Sequence, residues 1–289
     1  MSNPHLINSA IIFLNVKKLE QNLAECVLTL HEDMSIKPSL NPHVSTDCVI
    51  FGFSQDTLRL LLIRRSLPNR ITEVNDIHYA LPGDLVKDDE NLDESANRVL
   101  AELTGLKGIF LQQFQTFGDP MRIAKSKDRA WLESVRQDPD ARVITVAYMA
   151  LIDSQKVQLH PGSFSQDAVW VPIHEVPELA FDHNEIFEQA LSALRERVQL
   201  QPIGFELLPE KFTMGQLQSL YETILERDLD KRNFRRKMLN SGIIKPLAEK
   251  QIGVSNKPAR FYVFNREFAE NNPGAIFNLR MDGSFSLFS

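Results

Sequence analysis

Residues 81–106 constrain this chain more tightly than any other stretch. Pro82 and Gly83 make a turn, residues 92–103 carry a helical pattern, and Gly105 stops it. A helix held between two such turns must present fixed residues to its neighbours. Positions 99 and 103 are four apart and share one face, with 102 at its border; they carry Val99, Leu103 and Glu102. Arg98 and Glu102 share another face at the same spacing, where they either pair as ions or meet a ligand together.

The segment resembles the Nudix box, G-x5-E-x7-R-E-U-x-E-E-x-G-U, where U is bulky and apolar. Counted back from Gly105 and Leu106, the fit keeps Glu90, Arg98, Leu100, Glu102, Gly105 and Leu106. It departs at Asp84, where the box has Gly, and at Val99 and Leu103, where the box has Glu. Nudix enzymes cut a diphosphate with carboxylates of this helix holding Mg²⁺, a hard cation that wants oxygen ligands. Losing a residue that merely supports a metal ligand costs roughly 10–100-fold in affinity or activity. Losing two ligands costs at least that. Asp88, Asp89, Glu90, Asp93 and Glu94 do not stand at the positions of the missing ligands. The segment therefore reads as a retained scaffold with its catalytic metal site dismantled. No catalytic residue, metal or cofactor is expected.

At 289 residues the chain has room for two ordinary domains, and 43% hydrophobic with 24% charged content suits a globular protein. No apolar run approaches the roughly 18–20 residues that span a membrane, and residues 1–20 lack the layout of a signal peptide. Cys26 and Cys48 form no C-x-x-C pair, so neither a disulfide framework nor a zinc site is indicated. The expectation is a cytoplasmic protein with no membrane partner. A net charge of −6 argues against general nucleic-acid affinity, yet a total can hide a basic patch.

In order, residues 1–45 form an N-terminal extension with one helix over 16–34, its apolar side made by Leu19, Leu23, Cys26, Val27 and Leu30. Residues 46–200 form the first domain. Strands are expected at 47–53 and 58–65, around the turn Ser54-Gln55-Asp56, then at 109–117, 143–152 and 168–172. Arg64 and Arg65 end the second strand, where they either meet an anion or close a solvated edge. A charged, helical insertion occupies 122–140. A last helix begins near Asp182, which is an ordinary N-cap, and His183 either packs or binds.

The chain changes character after Gln201-Pro202-Ile203-Gly204. Within 205–265, residues 213–225 form an amphipathic helix with Thr213 as N-cap and Leu217, Leu220, Tyr221, Ile224 and Leu225 on one face. Asp230 caps a second helix over 231–240, ended by Gly242. Strands at 243–247 and 259–264 follow, joined by a loop with Lys250, Lys257 and Pro258. Helix, turn, helix and hairpin make a winged helix-turn-helix. Between 227 and 260 ten basic residues face three acidic ones. Phe234, Met238 and Leu239 are expected inside. Lys231, Arg232, Asn233, Arg235, Arg236 and Lys237 then lie outside, where Arg and Asn read base edges and the others hold phosphates. Thr213, Lys257 and Arg260 complete the candidate DNA contacts. The tail, 266–289, carries no usable pattern.

The fold class expected is α+β, a Nudix-like α/β/α sandwich with a mixed sheet followed by the winged helix. The segments 116–120 (TFGDP), 141–148 (ARVITVAY) and 180–186 (AFDHNEI), with 211–239 and 257–264, resemble the Nudix-related transcriptional regulators, the NrtR-like proteins. In that group the loop replaced here by the 122–140 insertion is short. The resemblance implies a homodimeric regulator, most simply a repressor, that binds a double-stranded operator and releases it to a small effector. ADP-ribose, a related nucleotide or a sugar derivative is the effector implied. Arg64, Glu90, Arg98, Glu102, Asp119, Arg122, Arg142 and His183 are the candidate effector contacts. The competing class is a Mg²⁺-dependent pyrophosphohydrolase acting on ADP-ribose or another nucleoside diphosphate derivative, against which Val99 and Leu103 speak.

Overall fold

The computed structural model describes residues 39–68, 75–123, 129, 132–133, 136, 138–160, 167–251 and 258–271, with backbone alone at 65–68 and 75–77. The chain divides into two compact units, Met1–Leu40 and Asn41–Ser289. The helix expected over 16–34 lies outside the described residues, as does Lys257.

A seven-stranded mixed sheet organises the first half of the second unit. It comprises β1 (Leu40–Ser54), β2 (Thr57–Pro68), β3 (Asn75–Ala80), β4 (Gly83–Lys87), β5 (Gln112–Phe117), β6 (Ile144–Asp153) and β7 (Asp167–Pro172). The main path runs β3-β2-β1-β6-β5, with β4 paired to β1 and β7 to β2. The β1–β6 pair is parallel and continuous from Val44 against Ile144 to Phe53 against Asp153; β2 and β5 flank it antiparallel. A parallel pair is buried on both faces, and β1 shows this in its run of apolar residues from Cys48 to Phe53. Cys48 and Ile50 point to one core; Val49, Phe51 and Phe53 point to the other.

Helix α1 (Leu92–Thr104) covers the first of these faces with Ala96 and Leu100, against Leu61, Val146, Tyr148 and Ala150. Asn91 and Glu94 form a capping box at its start. Gly105 ends it in the left-handed region at φ 78°, where a Cβ would meet His160 backbone atoms at 2.9 and 3.0 Å. Helix α2 (His183–Leu200) covers the second face with Ile186, Phe187, Ala190, Leu194 and Val198. The result is the expected α/β/α sandwich.

The second half holds α3 (Met214–Leu225), α4 (Lys231–Asn240) and a three-stranded sheet ordered β8-β10-β9, from β8 (Phe212–Thr213), β9 (Ile244–Lys250) and β10 (Arg260–Phe264). A short α5 (Arg266–Asn271) follows. Its core, with Phe212, Leu217, Leu220, Tyr221, Phe234, Met238 and Tyr262, is continuous with the α2 face of the sandwich. The two halves therefore share one apolar core.

Several expectations need correction. β1 begins seven residues earlier than the strand expected from 47, because residues 40–46 alternate too little to signal a strand. The strand expected from 109 starts at Gln112, and β3, β4 and β8 were not anticipated. Lys250 belongs to β9 rather than to the loop. Residues 266–271 of the tail are helical. No helix among the described residues is long and apolar enough to cross a membrane.

Candidate ligand site and nucleic-acid interface

The loop before α1 is tied by Arg98. Its guanidinium donates to Glu90 at 2.7 and 2.8 Å, to the Leu85 carbonyl at 2.9 Å, and to Asp84 and Glu102 at 3.2 Å each. The Lys87 backbone N–H donates to Glu90 at 2.8 Å. Burial would raise the Glu90 carboxyl, but the Arg98 and Lys87 hydrogen bonds overcome it and bring the group down to about 2. Hydrogen bonding to Glu90, then to Asp84, raises Arg98 in turn. Both side chains are close to closed off from water, at 13% and 10% exposure. Of the two readings of the Arg98–Glu102 pair, this geometry carries the structural one.

The departures from the box are filled by packing. Val99 is fully buried. Leu103 packs on a cluster made by Ile63, Ala80, Leu85, Val143, Ala180 and Phe181 together with Ile123 and Leu132. Glu102 is held by Arg98 and lies 3.8 Å from Lys87. Among the described residues no group of three His, Cys, Asp or Glu could hold a metal ion. Mg²⁺ needs several unpaired oxygen donors, and this face offers apolar side chains and paired carboxylates instead. The residues do not fit the ion.

A second cluster lies where β1, the turn after β5 and the start of α2 converge. Arg122, almost wholly buried, donates to both oxygens of Asp182 at 2.9 Å and to Asp47 at 3.4 Å. The Leu81 backbone N–H donates to Nδ1 of His183 at 3.0 Å, so the His183 proton sits on Nε2, 3.6 Å from Asp47. Gly83 makes room for this: a Cβ there would stand 1.8 Å from Asp47 Oδ1. Asp182 does not cap α2 with its side chain as expected, because Arg122 takes both of its oxygens.

The remaining candidates scatter. Arg64 pairs with Asp167 at 2.7 Å across the β2–β7 ladder, where the two residues stand directly opposite. Asp119 accepts from the Met121 N–H in its own turn, and Arg142 donates to the Gly118 carbonyl. The structure thus brings together Arg122 and His183 in one place, and Glu90, Arg98 and Glu102 in another. Asp47, Asp84, Asp182 and Arg136 were missed. Asp47 stands just before the apolar run of β1, where the sequence gives it no partner, and Arg136 lies among the other charges of the 122–140 insertion.

In α4 Asp230 caps the helix by accepting from the Asn233 N–H at 2.7 Å. Phe234 and Met238 are buried, while Lys231, Arg232, Arg235 and Arg236 are exposed and Asn233 and Lys237 half-buried. Leu239 is 39% exposed rather than inside: the helix turns its 100° per residue past the core after Met238. Arg236 donates to Asn233 Oδ1 at 2.8 Å, which aligns two groups able to read base edges. On the wing, Arg260 and Lys250 are both exposed and stand directly opposite in the ladder. Like charges in that position repel, and an anion between them removes the cost. Thr213 is buried, its hydroxyl accepting from the Gln216 N–H, so it does not share this surface.

Residues 41–190 match the NUDIX domain, and residues 204–264 match the NrtR DNA-binding winged helix domain. The chain is 32% identical over 229 residues to the ADPR responsive transcriptional repressor NtrR of Acinetobacter baylyi, spanning 78% of this chain and 82% of that protein. It is 26% identical over 149 residues to the ADP-ribose pyrophosphatase of Methanocaldococcus jannaschii, spanning 52% of this chain and 73% of that protein. Its structure superimposes on the crystal structure of Shewanella oneidensis NrtR complexed with a 27mer DNA at a TM-score of 0.58 and 26% identity, covering 78% of this chain and 95% of that one. A NUDIX domain joined to this particular winged helix, in this order, places the chain in the NrtR family of Nudix-related transcriptional regulators.

Proposed function

We propose that this protein is a cytoplasmic, homodimeric transcriptional repressor whose winged helix binds operator DNA and whose NUDIX domain binds ADP-ribose or a related nucleotide without hydrolysing it. The observation that carries the reading is α4: two buried anchors, Phe234 and Met238, and an outer face of Lys231, Arg232, Arg235 and Arg236. Such a helix enters a major groove, phosphate contacts fixing its register and Arg and Asn its sequence. The likeness to a repressor that responds to ADPR and to an NrtR bound to DNA supports both halves.

Effector and DNA act by linkage. The effector shifts the population only as far as it prefers the arrangement of the two winged helices that does not fit the operator. Release of repression by effector is the sign we propose.

The test is genome-wide mapping of bound DNA, then fluorescence anisotropy on the recovered site at stated salt. A palindromic site bound in the nanomolar range and lost on Arg235→Ala with Arg236→Ala is the expected result. Lys231→Ala, which removes a phosphate contact, should instead weaken all sequences alike and lower the slope of log K against log salt by about 1. Weak binding without site preference overturns the reading. The similarity to an ADP-ribose pyrophosphatase keeps hydrolysis as the second reading. Mg²⁺-dependent turnover of ADP-ribose by the unmodified protein would establish it.

A further inference from the structure

The geometry points to Arg136, with Arg122, as the cationic seat for the effector's diphosphate, standing in for a metal ion, so that binding needs no divalent cation. This rests on the reading of the effector as a nucleoside diphosphate derivative.

The argument begins with Leu103. Where a Nudix enzyme would place a carboxylate, this chain places a leucine, and Leu132 and Ile123 of the 122–140 segment pack into the same cluster. Leu132 is almost completely buried there. Ile123 and Leu132 thereby cover the face where the metal would otherwise bind. The Arg136 N–H donates to the Leu132 carbonyl at 2.9 Å, the spacing of one helical turn, so residues 132 and 136 leave the backbone on one side.

The Arg136 side chain is therefore carried to the same side as Leu132. Its Nη1 is closed to solvent and has no acceptor among the described residues. The charges that act on it are Asp47, Arg122 and Asp84, which belong to the cluster at the start of α2 and to the loop before α1. Asp47 already accepts from Arg122, and Asp84 from Arg98. A desolvated guanidinium N–H left without an acceptor is costly, and a phosphate oxygen is the acceptor that removes that cost most fully. Arg122 stands beside it, held in place by two bonds to Asp182. Two guanidinium groups, Arg122 in one cluster and Arg136 acted on by both, suit a diphosphate, whose two phosphates spread negative charge over both.

The test uses the full-length protein and ADP-ribose in isothermal titration calorimetry, once with Mg²⁺ and once with EDTA, with adenosine as a probe lacking the diphosphate. The wild-type affinity for ADP-ribose should be the same in both buffers. Arg136→Ala should weaken it by about tenfold or more, Arg136→Lys by less, with adenosine binding and operator binding unchanged. Because Arg136→Ala removes an unsatisfied buried group, its thermal melt should not fall. ADP-ribose binding that requires Mg²⁺, or that is unaltered in Arg136→Ala, overturns this inference and leaves the effector reading intact. No binding of ADP-ribose in either buffer overturns both.

Discussion

Arg195 of α2 donates its Nε proton to the carbonyl of Ile224, 3.1 Å away in the last turn of α3, and its Nη2 to Glu226, the residue that ends α3. The same helix begins at His183, beside Asp47 and Arg122. A single run of 18 residues, about 27 Å long, thus joins the candidate effector cluster to the helix that supports the recognition helix. Arg195→Ala should leave operator affinity in the absence of effector within about threefold. It should remove most of a coupling that typically amounts to 5–150-fold. Anisotropy titrations of operator with and without effector measure both quantities. Full effector response in the variant would show that α2 does not carry the coupling through this contact.

The Arg98–Glu90 pair holds the loop before α1. Arg98→Ala strands a nearly buried carboxylate and should cost about 3–5 kcal/mol in urea denaturation. Glu90→Gln keeps the size and one acceptor and should cost about 1–3 kcal/mol. A loss below about 1 kcal/mol for Arg98→Ala would mean that water replaces the guanidinium without penalty.

That pair also fixes a pH dependence. Glu90 is brought from an ordinary 4.5 down to about 2 in the folded protein. Its contribution to stability is therefore complete above pH 4.5 and is lost as pH falls from there toward 2. The urea midpoint should decline over that window. In Glu90→Gln the decline should be shallower by the share of this one group. Equal slopes in the two proteins would contradict the lowered carboxyl.

Much of the fold was legible because both of its signals are local. The apolar runs of β1 and β6 announce a sheet covered on both faces, and Gly105 and Asp230 announce helix ends by their own backbone or side chain. The box loop was legible in part: spacing alone brought Arg98 to Glu102, whereas Glu90, eight residues away, joins them only through the fold of the loop. The cluster at Asp47 was not legible, because Asp47, Arg122 and Asp182 meet through tertiary packing across more than a hundred residues of chain. The insertion misled for a similar reason. Its charged composition gives no sign of burial, while Ile123 and Leu132 find their partners only in the folded sheet. Leu239 shows the converse, since an apolar residue at helical spacing still faces outward when the core ends at Met238.

Restoring the box tests whether the metal face has been lost or merely left unfilled. Val99→Glu puts a carboxylate at a position with no exposure, and Leu103→Glu puts one against Leu85, Ile123, Leu132 and Phe181. Both carboxylates enter apolar packing, so each must be desolvated or force the chain bearing Leu132 away. The double variant should lose at least about 2 kcal/mol of stability and gain no Mg²⁺-dependent hydrolysis of ADP-ribose. Urea denaturation and a phosphate-release assay read the two outcomes. Adding Leu132→Ala should relieve crowding at residue 103 without creating the missing oxygen ligands. A stable double variant that hydrolyses ADP-ribose would mean that the segment yields the face readily, and that two side chains alone separate this chain from a working metal site.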